Sequence, residues 1–224
     1  MNRQPERELM DGPAEAAAYA AADFSAPHDA FVDRLIELAG DRKTAVAVDL
    51  GAGPCDIAVR LWRRRPGWRI VAVDGSSAML ELARSAIDKA GAGGSIELVQ
   101  ADAISGALAD GTFDIVYSNS LLHHVRDPIA LWRRMARLPK PGGLIFVRDL
   151  CRPGDRDVAT RLVEQYAGGE SGVLRSEFFN SLLAAYTVED VRSQLDAAGC
   201  ERLSVAMSSD RHLDVWGRSL DAVK

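Results

Sequence analysis

Apolar positions along this chain fall into two rhythms. Ala45-Val46-Ala47-Val48-Asp49-Leu50 is a short, nearly unbroken apolar run bounded by turn residues, the mark of a strand buried on both faces. Four runs of the same kind follow: Arg69 to Asp74, Ile96 to Asp102, Phe113 to Asn119 and Leu144 to Leu150. Helical spacing fills the intervals. Ahead of the first strand, Ala14 to Ala22 is alanine-rich and favours helix. Asp29 to Ala39 then gathers Phe31, Val32, Leu35, Ile36 and Leu38 on one side, with Gly40 ending the helix. Further on, Met79, Leu80, Ala83 and Ile87 form a stripe behind a Ser76 or Ser77 cap, and Gly91 closes it. Asp127 caps a later helix that Pro128 opens; Ile129, Trp132, Met135 and Ala136 give its buried face, and Pro139-Lys140-Pro141-Gly142-Gly143 stops it.

Strand–helix alternation of this length implies right-handed crossovers and a parallel sheet covered on both faces. After Leu150 the alternation fails. Residues 151–186 carry Gly154, Gly168, Gly169 and Gly172 among Tyr166, Phe178, Phe179 and Tyr186; an insertion beside strand ends reads as a lid rather than a second domain. Thr187-Val188-Glu189-Asp190 has capping-box spacing and Gly199 ends the helix it starts. Arg202 to Met207 and Arg211 to Gly217, joined by Ser208-Ser209-Asp210, read as a closing antiparallel hairpin. The pattern therefore predicts a doubly wound α/β fold, mostly parallel. Residues 1–40 form a helical segment over the site, and residues 41–224 form the main domain with its lid.

Composition narrows the partners. A chain of 224 residues suits one domain with a sizeable core. A net charge of −5 argues against a nucleic-acid partner. The one basic run, Arg63-Arg64-Arg65-Pro66-Gly67-Trp68-Arg69, falls where a helix ends, and cations suit that end of the dipole. Three cysteines, Cys55, Cys151 and Cys200, are widely spaced with no C-x-x-C, so neither a disulfide framework nor a zinc site is expected. No apolar run is long enough to cross a bilayer, and Met1 to Asp11 lacks the apolar core of a signal peptide. The expectation is a reduced, cytoplasmic protein without a membrane partner; no pattern here fixes an oligomeric state.

Candidate chemistry lies at strand ends, because open parallel sheets bind ligands outside the carboxyl edge where strand order reverses. The first strand runs into Gly51-Ala52-Gly53-Pro54-Cys55-Asp56. Glycines there let the backbone pass close beneath a ligand, though G-x-G alone also serves a plain tight turn. Asp74 at the tip of the second strand suits the hydroxyls of a ribose or a helix N-cap. Asp102 at the third suits an adenine amino group or a turn cap. Acids at three successive strand tips are a stronger signal than any one of them. A nicotinamide dinucleotide is disfavoured: Asp56 stands where G-x-G-x-x-G needs a small residue, and its carboxylate would repel a pyrophosphate.

Taken together, Val48-Asp49-Leu50-Gly51-Ala52-Gly53, Val73-Asp74 with Ser76 and Met79-Leu80, Gln100-Ala101-Asp102, Phe113-Asp114-Ile115-Val116 and Lys140-Pro141-Gly142-Gly143 resemble the class I S-adenosylmethionine methyltransferases. The closest likeness is to the ubiquinone/menaquinone-biosynthesis and small-molecule type. That resemblance implies a Rossmann-like seven-stranded sheet and methyl transfer from S-adenosylmethionine to a small-molecule acceptor, leaving S-adenosylhomocysteine. It also implies cofactor contacts. Gly51, Ala52 and Gly53 would lie under the methionine part, and Asp74, Gly75, Ser76 and Met79 would lie around the adenosine. Asp102 and Ala103 would flank the adenine, and Ser118, Asn119 and Ser120 would face the methionyl group or sulfonium. Apart from the resemblance, Tyr19 and Phe24 suit either a cover over the cofactor from the N-terminal segment or core packing. One position departs from the pattern: Cys55 stands where such families usually carry a third glycine.

A catalytic pair is also legible. His123, in Leu121-Leu122-His123-His124, follows the fourth strand, and Asp149 ends the fifth. The strand order that the resemblance implies makes these two strands neighbours and would bring the pair together, and an imidazole oriented by a carboxylate can take a proton from an acceptor hydroxyl or amine. Local structural bonding of the histidines, with catalysis by positioning and desolvation, is the plainer alternative. A metal is not expected, since His123 and His124 have no evident third ligand. His28 and His212 read as isolated, and Arg148 and Arg175 as surface salt-bridge partners or anchors for an anionic acceptor. Two rival functions remain on the same fold: a nucleoside-binding regulator that has lost its chemistry, and an enzyme using a carboxyl-modified form of the cofactor.

Overall fold

In a computed structural model, which describes residues 1–6, 12 and 23–220, the chain forms one seven-stranded sheet in the order β3-β2-β1-β4-β5-β7-β6. The strands are β1 (Ala45–Leu50), β2 (Trp68–Asp74), β3 (Ile96–Gln100), β4 (Phe113–Asn119), β5 (Pro139–Leu150), β6 (Ser204–Met207) and β7 (His212–Arg218). The first five run parallel, and β7 is antiparallel to both β5 and β6. The expected helix over residues 14–22, Tyr19 included, lies outside the described residues.

Parity along the strands sorts the side chains. Ala47 of β1, Ile115 and Tyr117 of β4 and Phe146 of β5 enter one core. Helices α1 (Ser25–Ala39), α2 (Asp56–Arg64) and α3 (Ser77–Ala90) cover it. Phe31 of α1 stacks on Phe146 with ring centroids 4.7 Å apart, and burying each such ring contributes about 1.5–3 kcal/mol. Val48, Val116 and Val147 face the opposite core, under α4 (Pro128–Arg137) and α7 (Val188–Ala198). Local signals set the ends of these helices. Ser76 accepts from the Met79 amide, Asp127 caps α4 with Pro128 first, and Thr187 and Asp190 close a reciprocal box. Gly91 and Gly199 end their helices left-handed.

Two expectations need correction. Pro139 to Gly143 does not precede the fifth strand but belongs to it: Phe113 pairs with Pro139, and after a register shift Ile115 pairs with Leu144. Gly142, at φ +70°, lets the chain make that bulge. The third strand stops at Gln100, because the Asp102 carboxylate accepts from the Ile104 and Ser105 amides and turns the chain. Residues 151–186 contain α5 (Arg156–Ala167) and α6 (Gly172–Ala184), packed over a small core of their own. No described helix is long and apolar enough to cross a membrane.

Candidate active site

A cavity of about 580 Å³ opens at the carboxyl ends of the parallel strands, where the order reverses between β1 and β4. Its floor is the loop after β1. The Gly51 and Ala52 amides both donate to the Val73 carbonyl at 2.9 Å, and the Gly53 amide donates to Asp74 Oδ2 at 2.8 Å. Gly51 has φ +73°, and a Cβ there would stand 2.9 Å from Leu121 Cδ1. At Gly53 a Cβ would meet nothing within 4 Å, so this stretch of floor is bare backbone with room above it. Cys55 takes φ 64°, the left-handed conformation that a glycine would adopt without cost. Its side chain is buried, and burial, with Asp49 and Asp74 nearby, raises its thiol pKa.

The next two strand tips form one side. Asp74 also accepts from the Ser76 amide at 2.8 Å, so two backbone donors fix its carboxylate on the wall, beside Gly75, Ser76 and Met79. Asp102 and Ala103 line the same side, but Asp102 Oδ1 takes three bonds, from the Ile104 amide and the Ser105 amide and hydroxyl. Asn119 and Ser120 line the cavity from β4. Ser120 has φ 58°, a strained conformation for a residue with a side chain. Ser118 does not line it. Strand parity turns Ser118 to the face of Val116, where its buried hydroxyl donates to the Leu50 carbonyl at 2.7 Å.

His123 and Asp149 meet as the strand order implied. The His123 ring, on a 3-10 turn at Leu122–His124, lies with Nδ1 2.5 Å from Asp149 Oδ1, and both side chains are almost fully buried. Asp149 also accepts from the Leu122 and Leu150 amides at 2.6 Å, so backbone bonds hold the carboxylate that holds the ring. Burial alone would push His123 down, but the charge and hydrogen bond of Asp149, helped by Glu6, raise it above the ordinary histidine value. His123 and His124 line the cavity; Asp149 stands behind them.

Other groups, Phe24 apart, were not assigned to the site from the sequence. Asp49 lines the cavity, is 2 % exposed, and its Oδ2 has no hydrogen-bond partner. Burial, together with the charge of Asp74, pushes it up to about 8. His28, expected to be isolated, bonds Asp56 Oδ2 at 2.6 Å and lines the cavity with it and Phe24. His212 is also on the wall, and burial beside Arg211 brings it down to about 4. Arg148 is spent on a buried, two-bond pair with Asp214, at 2.6 and 2.7 Å, and Arg175 pairs with Glu164. From the chain start, the Arg3 guanidinium donates to the carbonyls of His123 and Ala184, and Glu6 reaches the two histidines, 3.4 Å from His123 Nε2. Asp49 was within reach of strand parity, as an acid inside an apolar run; Glu6 carried no signal.

Residues 48–147 match the methyltransferase domain family. An uncharacterized methyltransferase of Mycobacterium tuberculosis is 28 % identical over 174 residues, which are 76 % of this chain and 83 % of the relative. The chain carries a methyltransferase domain. The ubiquinone/menaquinone biosynthesis C-methyltransferase of Pseudomonas putida is 33 % identical to this methyltransferase over 122 residues, 54 % of this chain and 48 % of that one. A S-adenosylmethionine-dependent methyltransferase from Aquifex aeolicus shares the fold at a TM-score of 0.69 and 15 % identity, over 93 % of this chain and 99 % of its own. The cavity suits S-adenosylmethionine. The floor over Gly53 has no side chain, and the unpartnered Asp49 oxygen suits a ligand that carries positive charge.

Proposed function

We propose that this methyltransferase methylates a small, partly apolar molecule through a hydroxyl or amine whose proton His123 removes. One observation carries the reading: the Asp149–His123 pair is buried, fixed by backbone bonds, and opens its imidazole onto the same cavity as the glycine floor. Bound S-adenosylmethionine supplies an electrophilic methyl group on a sulfonium. Gly51, Ala52 and Gly53 support its methionine part, with Asp49 as counter-charge. Asp74, Gly75, Ser76 and Met79 hold the adenosine, and Asp102 and Ala103 border the base.

On the acceptor side Asp149 holds the proton on Nδ1 of His123, which leaves Nε2 as the basic atom. Asn119 and Ser120 flank the path between the two halves. Helices α5 and α6 act as the lid, presenting Tyr166, Leu174 and Phe178 to the cavity and excluding water. A volume of about 580 Å³ falls within the range of roughly 300–1,000 Å³ typical of small-molecule sites. The net charge of −5 also suits a small molecule better than a nucleic acid. Three unpaired cysteines fit a reducing, cytoplasmic setting.

The experiment is transfer of labelled methyl from S-adenosylmethionine into a cell extract split by size. Label in the low-mass fraction, lost in His123→Ala, supports the reading. Label confined to protein or nucleic acid, or turnover with an unchanged pH profile in His123→Ala, overturns it.

A further inference from the structure

His123, His124 and Glu6 bring three metal-type donors to one point, although Glu6 is remote from the histidines in sequence. Nε2 of His123, Nδ1 of His124 and a Glu6 carboxylate oxygen all lie within 4.8 Å of one another. Glu6 Oε1 stands 3.4 Å from His123 Nε2 and 3.5 Å from His124 Nδ1. In a tetrahedral site with bonds of about 2.0–2.1 Å, donor atoms stand about 3.3–3.4 Å apart. The two contacts are thus already close to the edges of a coordination polyhedron.

Two further observations point to a ligand. Glu6 Oε1 is buried yet makes no hydrogen bond, because neither imidazole contact is aligned as one. The far nitrogen of His123 is bonded to Asp149 at 2.5 Å, which is the outer carboxylate that orients a metal-bound imidazole and raises its basicity. Arg3 steadies the arrangement by donating to the His123 carbonyl at 2.7 Å, and the Gln4 amide ties the same strap to the Leu183 carbonyl.

We propose that Glu6, His123 and His124 form a binding site for a divalent transition cation of the zinc type. Two imidazoles and one carboxylate suit zinc, cobalt or nickel, whereas magnesium and calcium want an all-oxygen shell. Three protein ligands would leave the fourth position of a tetrahedral zinc site to water or an acceptor oxygen. The site rests on the reading of this wall as the acceptor side, and a cation there shares His123 Nε2 with the proton that the base would take.

The test uses the full chain, stripped of metal and saturated with S-adenosylhomocysteine, titrated with Co²⁺ and followed by visible absorption, then with Zn²⁺ by calorimetry. One equivalent should bind, giving the ligand-field bands of nitrogen and oxygen coordination without the near-ultraviolet charge transfer of a thiolate. Glu6→Gln and His124→Ala should each weaken Zn²⁺ by at least about tenfold, while Cys151→Ser changes nothing. Dissociation constants above about 1 mM, or tight binding that survives both ligand variants, overturn the site. Undiminished S-adenosylhomocysteine affinity in each variant shows that the fold and the donor half are intact, so failure here is separable from failure of the methyl-transfer reading.

Discussion

Gly51→Ala tests whether the cofactor floor is built on a close approach or only on a turn. Gly51 has φ +73°, and an added Cβ would lie 2.9 Å from Leu121 Cδ1 and 3.2 Å from Leu121 Cβ and Cδ2. The left-handed backbone alone costs an alanine about 1–2 kcal/mol. Forcing a methyl against a packed side chain adds about 1–3 kcal/mol. Stiffening of the unfolded chain returns about 0.4–1 kcal/mol. The net loss is about 1–4.6 kcal/mol, and in a chain of this size each kcal/mol lowers Tm by about 2–4 °C. Gly40 supplies the control: its φ is +70°, but a Cβ there meets nothing within 4 Å, so Gly40→Ala should lose only about 0–1.5 kcal/mol. Denaturant titration of both variants, alone and in a Leu121→Ala background, isolates the clash. The Gly51 effect should shrink when Leu121 is cut back, and the Gly40 effect should not. Equal losses at Gly51 and Gly40, or no coupling to Leu121, would refute the close-approach argument.

Three further outcomes follow from the site. Asp49, pushed up to about 8 by burial, should ionise when a cationic donor binds. Below pH 8 S-adenosylmethionine binding should then release protons and tighten as pH rises, levelling above it; heats that are identical in buffers of different ionisation enthalpy, or Asp49→Asn with the same pH dependence, would contradict this. Asp149 raises the pKa of His123, so Asp149→Asn should move the acidic limb of kcat/KM to lower pH while cutting the rate by about 10²–10⁴. An unmoved limb would count against the base. Arg148 and Asp214 are both nearly buried and joined by two bonds, so Asp214→Ala should cost about 3–5 kcal/mol in urea unfolding. The double variant Arg148→Met/Asp214→Leu should recover most of that; no recovery would mean the site depends on the charges themselves.

The strands and the glycine floor were legible because buried parallel strands leave long apolar runs, and glycines with acids at strand tips are rare otherwise. The His123–Asp149 contact was legible through the family resemblance, whose implied strand order makes β4 and β5 neighbours. Ser118 was misread by treating Ser118, Asn119 and Ser120 as one patch, when the two-residue period of a strand separates the first from the cavity. Helix α6 hid in the pattern because its apolar residues, from exposed Val173 to buried Leu182, run round the whole helix. Glu6 and Arg3 could not be found at all. Their contacts join residues more than a hundred positions apart, and no periodicity encodes such a contact.

The pair α5–α6 closes over its own small core, formed by Leu150, Ala159, Leu162, Val163, Leu182 and Leu183, apart from the two cores of the sheet. Cavity-lining side chains such as Leu174 and Phe178 therefore sit on a unit whose packing is settled locally, while the glycine floor is bonded to β2. Exchange of residues 151–186 for the equivalent stretch of another enzyme would disturb neither the glycine loop nor Asp74. On the proposed assignment, acceptor choice would be an interchangeable part, and a lineage could change what it methylates without relearning how to hold its cofactor.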